Sequence, residues 1–325
     1  MRAIAVENPG QGYALKVVEI EKPAPAPGEV LIKVAAAGMN RADLVQAMGG
    51  YPPPPGAPST LGLEVAGEIT QLGSGVSAFS LGDKVCALLG GGGYAEYAAV
   101  SEKCVLPLPK GVALVDAAAL PEVYFTVWTN LIDTARLKAG DSVLIHGGSS
   151  GIGTAAIQLC AARGHKVFAT AGSAQKCAAI ARLGATSAIN YREEDFVEVV
   201  KKETGGKGVD VILDMVGGDY IQRNMSAAAL WGRIVNIAYQ SGMQATVNFA
   251  PLLMKRLSLL ATTLRARTNE EKGAIRDAVW REVWPLLEAG KIKPVVDRTF
   301  PLAEAAAAHA RMAKSEHIGK ILLTL

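Results

Sequence analysis

The sequence has few cysteines, little net charge and no long apolar run. Only four of its 325 residues are cysteine, and none forms a C-x-x-C pair, which is typical of reduced, mostly buried thiols in a cytoplasmic protein. A net charge of +3 is too small to indicate nucleic acid or an anionic membrane as the main partner. No apolar run reaches about 18 residues, so no membrane-spanning helix is expected. The first residues already form a strand pattern, so we expect no signal peptide.

A chain of this length exceeds one ordinary hydrophobic core, so two domains are expected. Residues 1–122 hold short strands separated by glycine and proline turns, a spacing typical of a compact β-barrel. From residue 123 onward, strands alternate with helices, which predicts an α/β domain with a doubly wound parallel sheet. Strands near the two termini are able to pair. We therefore assign residues 1–122 and 267–325 to the barrel domain and residues 123–266 to the α/β domain.

The pattern of apolar runs gives expected limits for the α/β domain and the tail. Strands of the α/β domain are predicted at 142–146, 166–171, 187–190, 209–214, 232–238 and 257–263. An amphipathic helix is predicted over 274–288, a second helix over 302–314, and a last strand over 320–325. Segment 246–250 also has a strand-like pattern. Because an unpaired edge strand tends to pair with another chain, this segment predicts a homodimer joined through the α/β domain. The alternative for the segment is a covered loop.

A glycine-rich turn follows the first strand of the α/β domain. The apolar run 143–145 leads into the turn, and a helix of small residues begins at Gly151. Helix N-termini present N–H groups with partial positive charge, and glycines let a pyrophosphate approach them. Gly148 and Gly153 occupy the first and third places of G-x-G-x-x-G, while Ser150 takes the middle place. The alternative is a turn that only starts a helix.

The second strand of the α/β domain ends without an acidic residue. An NAD site usually has Asp or Glu there to bind the ribose 2′-hydroxyl, whereas this chain continues with Gly172, Ser173 and, three residues later, Lys176. Ser173 is able to donate a hydrogen bond and Lys176 supplies positive charge. The sequence therefore favours NADPH over NADH. The alternative for Lys176 is an ordinary solvated lysine on a helix.

Seven ordered motifs resemble those of the medium-chain dehydrogenases/reductases. They lie at residues 38–43, 51–54, 61–67, 82–85, 92–97, 148–153 and 190–191. Within that superfamily the chain is most similar to the zinc-free NADPH:quinone oxidoreductases, and among these to the p53-inducible branch. The resemblance covers nearly the full length. It implies a GroES-like β-barrel, a Rossmann domain and an active site between them.

The resemblance also implies roles for individual residues. Around the nicotinamide it implies Asn40, Asp43, Thr126, Ala238, Tyr239, Gln240, Ser241, Thr263, Leu264 and Arg265. Of these, Asn40, Asp43 and Thr126 are expected to be catalytic, together with Tyr51. For the pyrophosphate it implies Ser150, Gly151 and Ile152, and for the 2′-phosphate Gly172, Ser173, Lys176 and Tyr191. Two alternatives stay open at this point. Asn40 is also suited to cap a short helix, and Tyr191 to be an ordinary tyrosine at a strand end. Ser150 departs from the commoner glycine, which leaves the path of the turn open.

Zinc-binding relatives carry a cysteine near position 38 and a histidine directly before the glutamate of their Gly-x-Glu segment. This chain has Gly38, Met39 and Leu63 at those places, and it lacks the structural lobe of four cysteines. Glu64 alone cannot bind zinc, which needs a cluster of ligands. We therefore expect no metal and a buried structural contact for Glu64.

Without a metal or an obvious histidine or lysine base, the chemistry suits an easily reduced acceptor. A quinone needs mainly a hydride placed at contact distance, so we expect NADPH-dependent quinone reduction. Tyr51 is expected either to stack on the acceptor or to donate a hydrogen bond to a developing oxyanion. Its third option is to pack against Pro52 and its neighbours.

Three other functions are alternatives to quinone reduction. Reduction of an enal, enone or enoyl thioester is the nearest, because it is also a conjugate hydride addition. A short-chain dehydrogenase is excluded, because no tyrosine starts a Tyr-x-x-x-Lys motif. A non-enzymatic role as a crystallin-like or RNA-binding protein is the alternative from another class, although no basic–aromatic array supports RNA binding.

Overall fold

The computed structural model describes all residues from 1 to 325. The strands are β1 Arg2–Glu7, β2 Ala14–Glu19, β3 Glu29–Gly38, β4 Glu64–Leu72, β5 Lys84–Leu88, β6 Tyr97–Ser101, β7 Val105–Pro107, β8 Ser142–Ile145, β9 Lys166–Ala171, β10 Ser187–Asn190, β11 Val209–Asp214, β12 Ala228–Asn236, β13 Ser258–Ala261, β14 Val296–Pro301 and β15 Lys320–Thr324. The α-helices are α1 Arg41–Ala47, α2 Pro121–Val127, α3 Gly151–Ala162, α4 Ala174–Arg182, α5 Phe196–Glu203, α6 Tyr220–Ala227, α7 Ala250–Met254, α8 Asn269–Glu282, α9 Trp284–Glu288 and α10 Ala305–Ala313. None of the helices is both long enough and apolar enough to cross a membrane.

The chain divides into two compact units. The first comprises Met1–Phe125 and Leu264–Leu325, and the second comprises Thr126–Thr263. The boundaries expected from the sequence, 122 and 267, lie three residues from these divisions. We call the two parts the barrel unit and the nucleotide unit.

The barrel unit is built around the long strand β3. Its seven-stranded sheet has the order β14-β15-β3-β4-β5-β7, and β6 also pairs with β3. The apolar residues Val30, Leu31 and Ile32 of β3 are completely buried, which explains why several strands gather around it. β15 pairs with β3 in antiparallel fashion, Leu323 opposite Ala37. The last strand of the chain therefore pairs with an N-terminal strand, as the sequence suggested.

The nucleotide unit has a six-stranded sheet in the order β10-β9-β8-β11-β12-β13, with every pairing parallel. This is the predicted doubly wound sheet. Chain order reverses between β8 and β11, and ligands of such sheets bind at the carboxyl ends of the strands beside that point. The apolar runs in the sequence predict most strands of this sheet correctly. β9, β10 and β11 have the predicted limits, whereas β12 begins four residues earlier than expected.

Two segments differ from the sequence-based expectation. Residues 246–250 do not form a strand, since 246–249 have no regular structure and Ala250 begins α7. The sheet ends instead at β13, and its other edge is β10. The helix predicted over 274–288 is two helices, and α8 starts at Asn269 behind a Thr268–Glu271 capping box. Pro285 lacks the N–H that would continue α8, so a separate helix begins at Trp284.

Candidate functional site

The glycine turn after β8 ends in a capped helix. Ser150 is the N-cap of α3, and its Oγ accepts a hydrogen bond from Gly153 N at 3.0 Å. A Cβ on Gly153 would fall on the carbonyl oxygen of Gly147, so only glycine fits where the helix crosses the turn. The N–H groups of Gly151 and Ile152 have no acceptor within the chain. Ser150 therefore completes the turn in place of a glycine, and two donors at the helix start point away from the chain's own acceptors.

Four residues predicted to hold a 2′-phosphate lie together after β9. Ser173 is the N-cap of α4, and its Oγ accepts from Lys176 N at 3.3 Å. Lys176 therefore lies in the first turn of that helix. The Tyr191 hydroxyl lies 2.6 Å from where a Cβ of Gly172 would be, so a side chain at 172 would displace it. The Tyr191 hydroxyl and the N-terminus of α4 lie beside Gly172, an arrangement that suits a phosphate.

A buried polar network lies beneath the carboxyl ends of β8, β11 and β12, and sequence reasoning missed it. His146 Nε2 contacts Asn224 Oδ1 at 2.7 Å, and Asn224 Nδ2 donates to Asp214 Oδ2 at 3.0 Å. Asn236 Nδ2 donates to the same oxygen at 2.9 Å. Burial lowers the pKa of His146, so its ring is neutral. The network ties three strand ends to one another at the edge that carries the glycine turn.

The loop after β12 contains four of the residues expected near the nicotinamide, namely Ala238, Tyr239, Gln240 and Ser241. Gln240 N donates to Met215 O at 3.2 Å, and Ser241 N donates to Val216 O at 2.8 Å. The loop is therefore fixed against the segment that follows β11. Its proposed contact with the nicotinamide stays a prediction.

In the barrel unit, a buried ion pair fixes the side chain of Asn40. Glu64 Oε1 lies 2.6 Å from Lys320 Nζ, and both side chains are buried. Lys320 Nζ donates to Asn40 Oδ1 at 2.6 Å and to Met39 O at 2.5 Å, while Asn40 Nδ2 donates to Glu64 Oε1 at 2.9 Å. Asn40 does occupy the N-cap position of α1. Its side chain, however, is oriented by Lys320 and Glu64, so it does more than cap a helix.

Asp43 is completely buried and fully hydrogen-bonded. Its Oδ2 accepts from Asn40 N at 2.7 Å and from the Tyr94 hydroxyl at 3.0 Å, and its Oδ1 accepts from Gly62 N at 3.1 Å. Burial raises the pKa of Asp43 to about 6, against the opposing effect of these hydrogen bonds. No part of the carboxylate is open to a ligand. We therefore replace the expected catalytic role of Asp43 by a positioning role, in which it joins the start of α1 to the Gly62 turn.

Tyr51 is partly exposed, and Arg265 holds its loop in place. The Arg265 guanidinium donates to Tyr51 O at 3.1 Å, to Gly90 O at 2.8 Å and to Gln46 Oε1 at 2.8 Å. Its central carbon lies 5.1 Å from the centre of the Tyr51 ring. Burial raises the pKa of Tyr51, so its hydroxyl stays protonated. Arg265 was expected to bind the cofactor. Its buried side chain instead donates hydrogen bonds to these three acceptors and holds the Tyr51 loop in place.

Glu122 was not identified from the sequence. Its backbone N–H donates to Glu64 Oε2 at 2.9 Å. Its side chain is partly exposed, and the carboxyl group makes no hydrogen bond or ion pair within the chain. Burial and the nearby negative charge of Glu64 raise the pKa of Glu122 to about 8, so the carboxyl is protonated at neutral pH. The only signal in the sequence is a single carboxylate that follows Pro121 inside an apolar run.

Three further residues with expected nicotinamide roles lie at the ends of the two units. Thr126 is buried at the start of the nucleotide unit, Thr263 ends that unit, and Leu264 begins the second segment of the barrel unit. Their contact with a cofactor stays a prediction.

The side chains offer no cluster suited to a metal ion. No group of three or more His, Cys, Asp and Glu residues is placed to hold one. Glu64 is paired with Lys320 and thus has a buried structural role. Zinc independence itself stays a prediction.

Comparisons with known proteins agree with this architecture. Residues 26–110 match the family model for the alcohol dehydrogenase GroES-like domain, and residues 183–323 match that for zinc-binding dehydrogenases. The chain is 35% identical to a quinone oxidoreductase of Rattus norvegicus over 100% of its own length and 98% of that protein.

Two solved structures have the same fold. Escherichia coli quinone oxidoreductase complexed with NADPH has a TM-score of 0.88 at 32% identity and covers 100% of this chain and 99% of that one. The JamJ enoyl reductase has a TM-score of 0.87 at 29% identity, over 99% of this chain and 98% of that one. The p53-inducible branch is not tested by these similarities and stays a prediction. The fold is thus a GroES-like domain with a Rossmann-type parallel sheet, and the chain is an enzyme that belongs to the quinone oxidoreductases of the nicotinamide-dependent medium-chain dehydrogenase/reductase superfamily.

Proposed function

We propose that this enzyme reduces quinones with NADPH and without zinc. The observation that carries the cofactor choice is the end of β9, where Ser173 caps the helix that contains Lys176 and Tyr191 lies over Gly172, while the position that is usually acidic in an NAD site is not acidic here. The acceptor is supported by the quinone oxidoreductase of rat, which matches the chain over its full length. The enzyme similar in structure from Escherichia coli was solved with NADPH, which supports the same cofactor.

In this proposal, residues of the nucleotide unit hold the phosphates of the cofactor. The N–H groups of Gly151 and Ile152 bind the pyrophosphate, and the residues after β9 bind the 2′-phosphate. NADPH supplies a hydride when it is bound. The remaining work of the protein is to place the acceptor and to provide a proton.

The acceptor is expected to lie against Tyr51 in the barrel unit. The Tyr51 loop is stiffened by Pro52–Pro55 and held by Arg265, so the ring has a fixed orientation. A flat quinone fits a fixed aromatic face, and such contacts are worth about 0.5–1.5 kcal/mol beyond buried area.

A second function is the reduction of an enal, enone or enoyl thioester. It is favoured by one observation, the similarity in structure to the JamJ enoyl reductase. The test is a screen with NADPH saturating, in which 1,4-benzoquinone and 9,10-phenanthrenequinone are compared with enals and enones. Quinone reduction predicts the higher kcat/KM for the two quinones. A higher value for the enals would assign the second function, and no turnover at all would favour the crystallin-like or RNA-binding alternative.

Substitutions of Tyr51 separate its two possible contacts with the acceptor. If the ring stacks on the quinone, Tyr51→Phe keeps most of the turnover, and Tyr51→Ala loses about 1–3 kcal/mol of transition-state stabilisation. If the hydroxyl stabilises an oxyanion, Tyr51→Phe alone costs about 2.7–4 kcal/mol. We expect stacking, because a quinone is a strong acceptor. The measurement is kcat/KM for the acceptor with NADPH saturating, and wild-type values for both variants would show that Tyr51 only packs against its prolines.

We also propose that the enzyme is a homodimer joined through the nucleotide unit. The sequence pointed to segment 246–250, but the edge strand that lies nearest to it in sequence is β13, one of the two edges of the sheet. Large apolar side chains are exposed near it in sequence, with Met243 88% and Leu253 79% exposed, together with Phe249 and Met254. An edge strand flanked by apolar side chains is a surface that soluble proteins normally cover, and a second copy offers a matching edge.

The dimer is tested by light scattering at micromolar concentration. Wild-type protein is expected at twice the chain mass, and Leu253→Glu is expected to shift it toward the monomer because the charge would be buried in the interface. Leu81→Glu is the matched control, since Leu81 is an equally apolar, exposed residue of the barrel unit. A monomeric wild type would remove the proposal.

A cytoplasmic location is the last part of the proposal. All four cysteines are unpaired, and Cys86, Cys104 and Cys160 are buried. Free thiols of this kind are typical of reducing compartments.

A further inference from the structure

We propose that Glu122 is the catalytic acid that protonates the reduced acceptor, a role that rests on the proposed function. Both oxygens of the buried Glu64 carboxylate accept hydrogen bonds. Oε1 accepts from the Asn40 side chain at 2.9 Å, and Oε2 accepts from the Glu122 N–H at 2.9 Å. One fixed carboxylate therefore places Asn40 and the start of α2 side by side.

The Glu122 carboxyl differs from the other acidic groups around it. Asp43 and Glu64 are completely buried and are occupied by hydrogen bonds or an ion pair. Glu122 is partly exposed and has no such partner. A carboxyl that is anchored through its backbone, only partly exposed and without a structural bond is free to give a proton to a bound molecule.

The charges around Glu122 keep it protonated. Besides burial, four charged groups shift the pKa of Glu122. In order of decreasing effect they are Glu64 on β4, Lys320 on β15, Asp43 on α1 and Lys272 on α8. The two carboxylates raise its pKa and the two lysines lower it. Burial is the largest influence, and the resulting pKa of about 8 leaves the proton on Glu122 at neutral pH. Together with burial, the charge of Glu122 also raises the pKa of Tyr51, the residue that the proposed function places against the acceptor.

The proton balances the reaction. A quinone takes up two electrons and one hydrogen as a hydride, which oxidises NADPH to NADP⁺ and leaves a hydroquinone monoanion. The O–H bond of Glu122 then breaks, and a new O–H bond forms on the anionic oxygen. A phenol has a pKa of about 10. Proton transfer from an acid of pKa about 8 to the phenolate oxygen is therefore favourable. The Glu122 carboxylate afterwards takes a proton from water.

The kinetic test compares Glu122→Gln with wild type from pH 6 to pH 9.5. Wild-type kcat/KM for 9,10-phenanthrenequinone is expected to fall as pH rises through about 8, because the protonated form is active. Glu122→Gln is expected to lose about 10²-fold at pH 6.5, to show no such step, and to lose the wild-type solvent isotope effect. Glu122→Asp is expected to recover part of the rate and the pH step. Glu68→Gln, an exposed carboxylate on the same strand as Glu64, is the control.

A second measurement needs no turnover. A raised pKa means that the folded protein holds the Glu122 proton more tightly than the unfolded chain does. The stability of wild type relative to Glu122→Gln is therefore expected to decrease as pH rises from about 4.5 to about 8. A constant difference, or a pH step that survives in Glu122→Gln, would overturn the role of Glu122. Absence of quinone turnover in wild type, with the stability change present, would contradict the proposed function instead.

Discussion

Replacing Lys320 by methionine is expected to lower the free energy of unfolding by about 3–5 kcal/mol. The ammonium group is buried and lies 2.6 Å from Glu64 Oε1, and it also donates to Asn40 Oδ1 at 2.6 Å. Methionine has a similar volume but no charge, so the variant would leave the Glu64 carboxylate buried without a partner. Removal of one member of a buried ion pair lowers the free energy of unfolding by far more than the intact pair adds to it. The reason is that the desolvation of the remaining charge is no longer compensated.

Urea unfolding is the measurement for Lys320→Met. Lys314→Met is the matched control, since Lys314 is exposed, and it is expected to stay within about 0.5 kcal/mol of wild type. The double variant Lys320→Met/Glu64→Gln is expected to recover much of the loss, because it has no unpaired charge. A single variant as stable as wild type would show that the ion pair does not hold Asn40 as described.

Replacing Lys176 by alanine is expected to weaken NADPH binding about 10- to 100-fold and to leave NADH binding nearly unchanged. Lys176 lies in the first turn of α4, with its N–H on the Oγ of Ser173 and Tyr191 nearby over Gly172. A hydrogen bond to a charged group is worth about 1.5–3 kcal/mol, which corresponds to this range. NADH lacks the 2′-phosphate and so gains nothing from the ammonium group.

Binding of each cofactor without acceptor is the measurement for Lys176→Ala. Lys202→Ala is the control, because Lys202 is an exposed lysine of the same unit on α5. Equal losses for NADPH and NADH would mean that Lys176 acts on a part common to both cofactors, and they would contradict the 2′-phosphate assignment.

The parts of the site that the sequence predicted are formed by residues that are close to one another along the chain. Gly147 to Gly153 form one turn, and Ser173 caps the helix that contains Lys176, so spacing along the sequence is also proximity in space. The same reason explains the strands. Apolar runs bounded by glycine and polar residues gave the limits of β9, β10 and β11 without reference to any distant residue.

The parts that were missed depend on contacts between distant residues. Glu122 is anchored on a carboxylate 58 positions away, Arg265 holds a carbonyl 214 positions away, and Lys320 reaches Asn40 across 280 positions. No local pattern records such a pairing. Asp43 shows the opposite case, since its motif was recognised but its complete burial, which removes it from direct chemistry, follows only from the packing around Tyr94.

The most direct test of the account is the specificity of wild-type enzyme for its two substrates at once. We would measure kcat/KM for NADPH and for NADH with saturating 9,10-phenanthrenequinone, and follow both loss of the reduced cofactor and formation of the hydroquinone without oxygen. The account predicts one hydroquinone per NADPH oxidised and a preference of at least about 10-fold for NADPH, from one charge-assisted hydrogen bond. Equal use of NADH, or oxidation of NADPH without hydroquinone, would contradict it.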